Sequence, residues 1–146
     1  MRKTVLMLVM ITIVTISSGQ ESIQDNPKPI RNSIGLTLGN GDPWIGLYYE
    51  KILLPNWGME FAVGLIGGSV GTKVYFMKVE RQKHLLYTGL SEGILLLIGG
   101  RHYIPLGYSY IWNNGFRFNV DAGPQIFHDS KDGIMPGVNL RFGKAF

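Results

Sequence analysis

Cysteine is missing from all 146 positions. Disulfides are thereby excluded, even in a compartment that would permit them, and so is lipoprotein anchoring through a modified Cys. Stability must come from hydrogen-bonded closure or from a packed core. Also missing is any window that sustains the 3.6-residue apolar period of an amphipathic helix. Long apolar runs are scarce: the one near the N-terminus, Val5 to Ile16, is twelve residues. At about 1.5 Å rise per residue it would span about 18 Å, short of a ~30 Å hydrocarbon core. That excludes a helical membrane anchor.

The same run sits in a different context from the rest of the chain. Arg2 and Lys3 precede it as a positive n-region, and Ser17-Ser18-Gly19 follows it with the small residues a signal peptidase reads. Residues 1–19 are therefore expected to be a cleaved signal peptide. Removing 19 residues from 146 leaves 127, one domain's worth. It also removes two of the 14 basic residues, leaving a net charge of +2 against 10 acidic ones. No nucleic-acid partner is expected of so small a basic excess. Residues 20–32, with Asp25-Asn-Pro-Lys-Pro29, are polar and proline-punctuated, and read as a flexible tail.

From Ser33 the chain becomes short alternating runs between turn residues, and residues 33–146 read as one all-β domain. Eight runs are expected: Ile34 to Leu38, Trp44 to Leu53, Gly58 to Ile66, Val70 to Val79, His84 to Ile98, Arg101 to Trp112, Phe116 to Phe127, and Met135 to Phe146. Gly39-Asn-Gly-Asp-Pro43, Gly67-Gly-Ser69 and Asn113-Asn-Gly115 are read as turns. The fifth run is counted as one strand with an irregularity near Glu92-Gly93, and its register is left open. Pro105, which removes a ladder donor, is read as a bulge or as a point outside any membrane band. About fourteen residues per strand and turn suit the ~9–11 residues of a transmembrane strand with short connections.

Most runs have two faces. The last is the clearest: Val138, Leu140, Phe142 and Phe146 share one parity, and Asn139, Arg141, Gly143 and Ala145 the other. In the second run Trp44, Gly46, Tyr48 and Glu50 fall on the minor face. Across the chain that face carries Glu50, Glu60, Arg117, Asn119, Asp121, Asn139 and Arg141. It is too charged for the dry core of a soluble protein. Packed inside a narrow barrel, Glu50, Glu60, Arg117, Asp121 and Arg141 could pair as an interior network, while the Leu, Ile, Val and Phe face meets acyl chains. Trp44, Trp57, Tyr110 and Trp112 fall near strand ends, as interfacial aromatics do. Lys51 and Lys144 have lipid-face parity but also lie near strand ends, where they could snorkel.

The final strand closing on Phe146 resembles the last strand of Gram-negative outer-membrane β-barrels. The resemblance implies that Phe142 and Phe146 belong to an assembly signal read by the barrel-assembly machinery. Lys144 departs from that pattern, standing where an apolar or aromatic residue is common. Ile45-Gly-Leu-Tyr-Tyr-Glu50, the run from Gly64 to Lys73, Tyr103-Ile-Pro-Leu-Gly107, Asn114-Gly-Phe116 and Val120-Asp-Ala-Gly-Pro124 also resemble small barrels grouped under an outer-membrane β-barrel domain. That likeness covers nearly the whole mature chain. It implies fold and place and transfers no catalytic residue.

Catalytic chemistry finds no constellation here. On the sixth run His102 and Ser109 have opposite parity, so no local nucleophile and base are assembled. His128, Asp129 and Asp132 lack the spacing of a dedicated metal site. The glycine-rich run from Gly64 to Gly71 joins two strands and opens no helix, so it is not a phosphate loop. The expectation is an eight-stranded antiparallel up-and-down transmembrane barrel, porin-like in fold and monomeric, in the outer membrane. Its partners are outer-membrane lipid and the assembly machinery, with no cofactor and no enzymatic activity. Its interior would be plugged, since eight strands enclose just enough space for side chains. A soluble lipocalin-like barrel that binds a small apolar ligand is the alternative, and a lipid-modifying outer-membrane enzyme the third reading.

Overall fold

In the computed structural model, residues 29–41, 43–96, 99–128 and 134–146 are described; the expected signal peptide lies outside them. The alternation becomes nine strands and, among the described residues, no helix: β1 (Asn32–Gly39), β2 (Trp44–Leu54), β3 (Trp57–Gly64), β4 (Gly67–Tyr75), β5 (His84–Leu95), β6 (Gly99–Tyr103), β7 (Leu106–Ile111), β8 (Phe116–Phe127) and β9 (Ile134–Ala145). Every pairing is antiparallel, and β1 pairs with both β2 and β9. β4 pairs with β5, so the sheet closes on itself. β6 and β7 are halves of one wall position, both lying between β5 and β8. The fold is thus a closed eight-stranded barrel.

Pro105 causes the split without shifting the register. Tyr103 pairs with Gln125 and Leu106 with Ala122, so two residues oppose two across β8. Across β5, Tyr103 pairs with Ser91 and Leu106 with Thr88, again two opposite two. The bulge expected at Pro105 is absent: the imide removes one donor and adds no residue. The Pro105 carbonyl, within this break, accepts from the Thr88 hydroxyl at 2.9 Å.

Four other expectations are corrected. The third turn is Leu65–Ile66, a two-residue hairpin closed by the Gly64 and Gly67 pair, so Gly67-Gly-Ser69 belongs to β4. β4 stops at Tyr75, after which Val79 folds back, its N–H donating to the Pro55 carbonyl at 2.8 Å. β5 runs unbroken from Tyr87 opposite Tyr75 to Leu95 opposite Gly67, with no irregularity at Glu92-Gly93. Trp44 also leaves its expected face: it opens β2 with φ at 37° and is exposed.

The barrel is apolar outside and polar inside. Leu36, Leu47, Phe61, Val63, Val70, Leu90, Leu106, Val138 and Leu140 are exposed, Val63 at 65%. Glu50, Arg117, Asn119 and Asn139 are completely buried. The start of β1 and the finish of β9 share one end, with Ser33 opposite Ala145. There Ile30, Val79, Leu85, Ile111 and Ala145 form an apolar floor with Tyr75 and Tyr87. Ile30 belongs to the segment expected as a tail; beside it the Arg31 and Asn32 N–H groups donate to the Phe146 carbonyl at 3.1 and 2.9 Å.

Candidate functional site: the buried charge network of the lumen

All five expected interior charges converge in the lumen. Arg117 on β8 reaches Glu50 on β2, with Nη1 3.0 Å from Oε2. Arg141 on β9 reaches Glu60 on β3 at 3.2 Å and also pairs with Asp121 on β8. A sixth charge, Lys73 on β4, pairs with Glu60 and lies 3.6 Å from Glu50. Lys73 shares inward parity with Tyr75; in sequence Val74 and Phe76 oppose the equally apolar Tyr75 and Met77, so the fourth run shows no clear inward face. Three acids therefore face three bases, so this network is formally neutral.

Neutral donors complete it. Arg117 donates from Nε to Ser109 and Asn119 at 3.0 and 3.1 Å, and from Nη1 to Ser33 at 2.8 Å. The Tyr75 hydroxyl accepts from Arg117 and donates to Glu50. Tyr87 and Tyr103 donate to the two oxygens of Asp121 at 2.6 Å each, and Asn139 adds a bond at 3.0 Å. These phenols escape a reading of sequence because Tyr suits either face of a barrel wall. Buried charge is tolerable only when paired and hydrogen-bonded; Asp121 meets both conditions through three strands, whereas Glu50 Oε2 is held by its ion pairs to Arg117 and Lys73 and accepts no hydrogen bond.

The wall makes room for the rings by leaving out side chains. Gly107 is the cross-strand partner of Tyr87, and a Cβ there would fall 2.3 Å from the ring. At Gly143 a Cβ would lie 2.6 Å from the Tyr48 hydroxyl. Towards the far end Arg101 donates to Gln125 at 2.9 Å and to the Asn40 carbonyl. A cleft beside Glu60, Lys73, Tyr103 and Arg141 has room on the order of one water molecule. With the apolar floor at the other end, side chains of the described residues fill the lumen from that floor to the charge network.

The outer wall carries its aromatics in groups. Tyr110 stacks edge-on against Trp112 at 4.7 Å, and Trp112 lies 5.2 Å from Phe116, all at the end where β1 begins. Trp57, near the same end, donates its indole N–H to Thr72 at 2.5 Å. Trp44 marks the opposite end, and Phe142 packs against Phe118 at 5.3 Å. Lys51 pairs with Asn32 and Lys144 with Ile34, at or next to strand termini. In the turn after β4, Lys83 pairs with Glu80 and draws its carboxyl below the ordinary range by hydrogen bond and charge.

His102 and Ser109 lie on opposite sides of the wall, as their parity requires: Ser109 is buried on Arg117 and His102 faces outward. The structure does bring His102 to Glu92 and His128, residues on three different strands or strand ends that no local spacing connects. Compared with known proteins, the chain matches no family model, no curated protein and no solved structure.

Proposed function

We propose that the chain is an integral outer-membrane β-barrel, non-enzymatic and plugged, serving envelope structure or surface interaction. One observation carries this reading: the polarity of the barrel is inverted relative to a soluble protein. Monomeric soluble proteins rarely expose contiguous apolar patches above a few hundred Å², yet here nearly every strand presents Leu, Ile, Val or Phe outward. Closure supports the same reading, because a barrel leaves no unpaired sheet edge in hydrocarbon. A lipocalin-like carrier needs an apolar cavity of about 300–1,000 Å³, and a lumen filled by ion pairs argues against one. The expected leader supplies export, lipid and the assembly machinery are the proposed partners, and Phe142 and Phe146 are the proposed assembly signal.

Cell fractionation tests the reading. The chain is expected in outer-membrane fractions, migrating differently in detergent gels before and after boiling. Release in soluble form by osmotic shock would overturn it in favour of the soluble barrel. An altered lipid A mass spectrum on deletion or overexpression would instead favour the lipid-modifying enzyme.

A further inference from the structure

Among the described residues, a cluster of metal-ligating side chains assembles on the barrel wall outside the lumen. Glu92 and His102 are direct cross-strand partners on β5 and β6. His128 follows β8, its N–H donating to the Gly100 carbonyl at 2.9 Å. A Cβ on Gly100 would lie 2.9 Å from His128 Nδ1, so the missing side chain leaves the ring its place. A Glu92 carboxylate oxygen is 2.5 Å from His102 Nδ1. On the other side of that ring, the Nε2 atoms of His102 and His128 lie 2.5 Å apart.

The chemistry of this order is specific. A neutral imidazole offers one N–H and one lone pair. With Nδ1–H given to Glu92, the lone pair of His102 Nε2 points at His128. Metal-binding histidines are held in just this way, the second nitrogen donating to a carboxylate that fixes tautomer and ring orientation. Imidazole nitrogens suit zinc, nickel and copper, whereas calcium and magnesium require oxygen donors.

We propose that His102 and His128 form a divalent transition-metal site through their Nε2 atoms, with Glu92 orienting His102 and water completing the coordination. Two zinc–nitrogen bonds of about 2.0–2.1 Å at a tetrahedral angle separate the nitrogens by about 3.3 Å. Binding therefore opens the pair by less than about 1 Å, which a rotation of the exposed His128 ring supplies. His128 follows the end of β8 and His102 pairs with Ile126, one residue from that end, so the site lies at the rim opposite the apolar floor, where an ion enters from water. The three residues share none of the luminal contacts, so this site and the membrane reading stand or fall separately.

The test is calorimetric titration of the full folded chain in detergent micelles with zinc chloride, and electron paramagnetic resonance with Cu²⁺. One ion per chain is expected, with a two-nitrogen hyperfine pattern. His102→Ala and His128→Ala should each weaken binding at least tenfold and leave one nitrogen. Glu92→Gln should weaken it about 10–100-fold. His84→Ala, which removes the remaining histidine from its contact with Tyr108, should change nothing. Circular dichroism establishes that each variant is folded. Absence of binding, or binding unchanged in the folded His102→Ala/His128→Ala double variant, would overturn the site; full affinity in Glu92→Gln would overturn the orienting role.

Discussion

Arg117 and Glu50 form an ion pair, Nη1 to Oε2 at 3.0 Å, although β1 and β9 stand between their strands. The contact crosses the lumen, so each side chain braces a wall to which it is not hydrogen-bonded. Removing one partner strands a buried charge, which costs about 3–5 kcal/mol, whereas replacing both by apolar groups of similar volume is often neutral. Glu50→Gln and Arg117→Met should each lower stability by that order. The Glu50→Leu/Arg117→Met double variant should recover part of the loss, because Ser33, Ser109 and Tyr75 lose their charged partner. Urea titration of the folded chain in lipid vesicles, followed by tryptophan fluorescence, measures both.

The outward face gives a prediction of opposite character. Leu140 on β9 lies between Leu38 and Val120, well away from the strand ends. In a bilayer Leu140→Arg should cost about 2–4 kcal/mol, while Lys51→Arg, at the edge of the band, should cost little. A soluble barrel would tolerate both, since arginine on a water-exposed wall is cheap. The same urea titration separates the two cases.

Gly107 tests the fit of the plug. A methyl there would meet the Tyr87 ring, which is held in place by Asp121. Gly107→Ala should therefore destabilise by about 1–3 kcal/mol, as overpacking does. Adding Tyr87→Ala should remove that further penalty, and a double-mutant cycle measures the coupling.

The filled lumen predicts electrical silence. In planar bilayers the wild-type chain should give no steady single-channel steps. Steady conductance that Glu60→Gln alters would show that the ion pairs gate a path and do not block one.

Much of this architecture is legible in sequence, because a period of two assigns every side chain to a face. Glu50, Glu60, Arg117, Asp121 and Arg141 share the minor parity, and a narrow barrel brings that parity together. Lys73 is not legible because Val74 and Phe76 oppose the equally apolar Tyr75 and Met77, so the fourth run shows no clear inward face. Pro105 shows the converse limit, since a missing donor predicts a break in the ladder but not whether an extra residue accompanies it. Glu92, His102 and His128 were unreadable for another reason. Their meeting depends on the register of three strands, and register is set by closure rather than by local spacing.

An apolar outer wall that faces lipid, as proposed, has a direct readout in spin-label accessibility. The native chain has no cysteine, so single substitutions at Phe61, Leu140 and the turn residue Asn56 can be labelled cleanly after reconstitution into vesicles. Labels at 61 and 140 should be quenched by oxygen and shielded from a water-soluble nickel chelate, with the reverse at 56. Nickel chelate reaching positions 61 and 140 as readily as position 56 would show that the wall faces water.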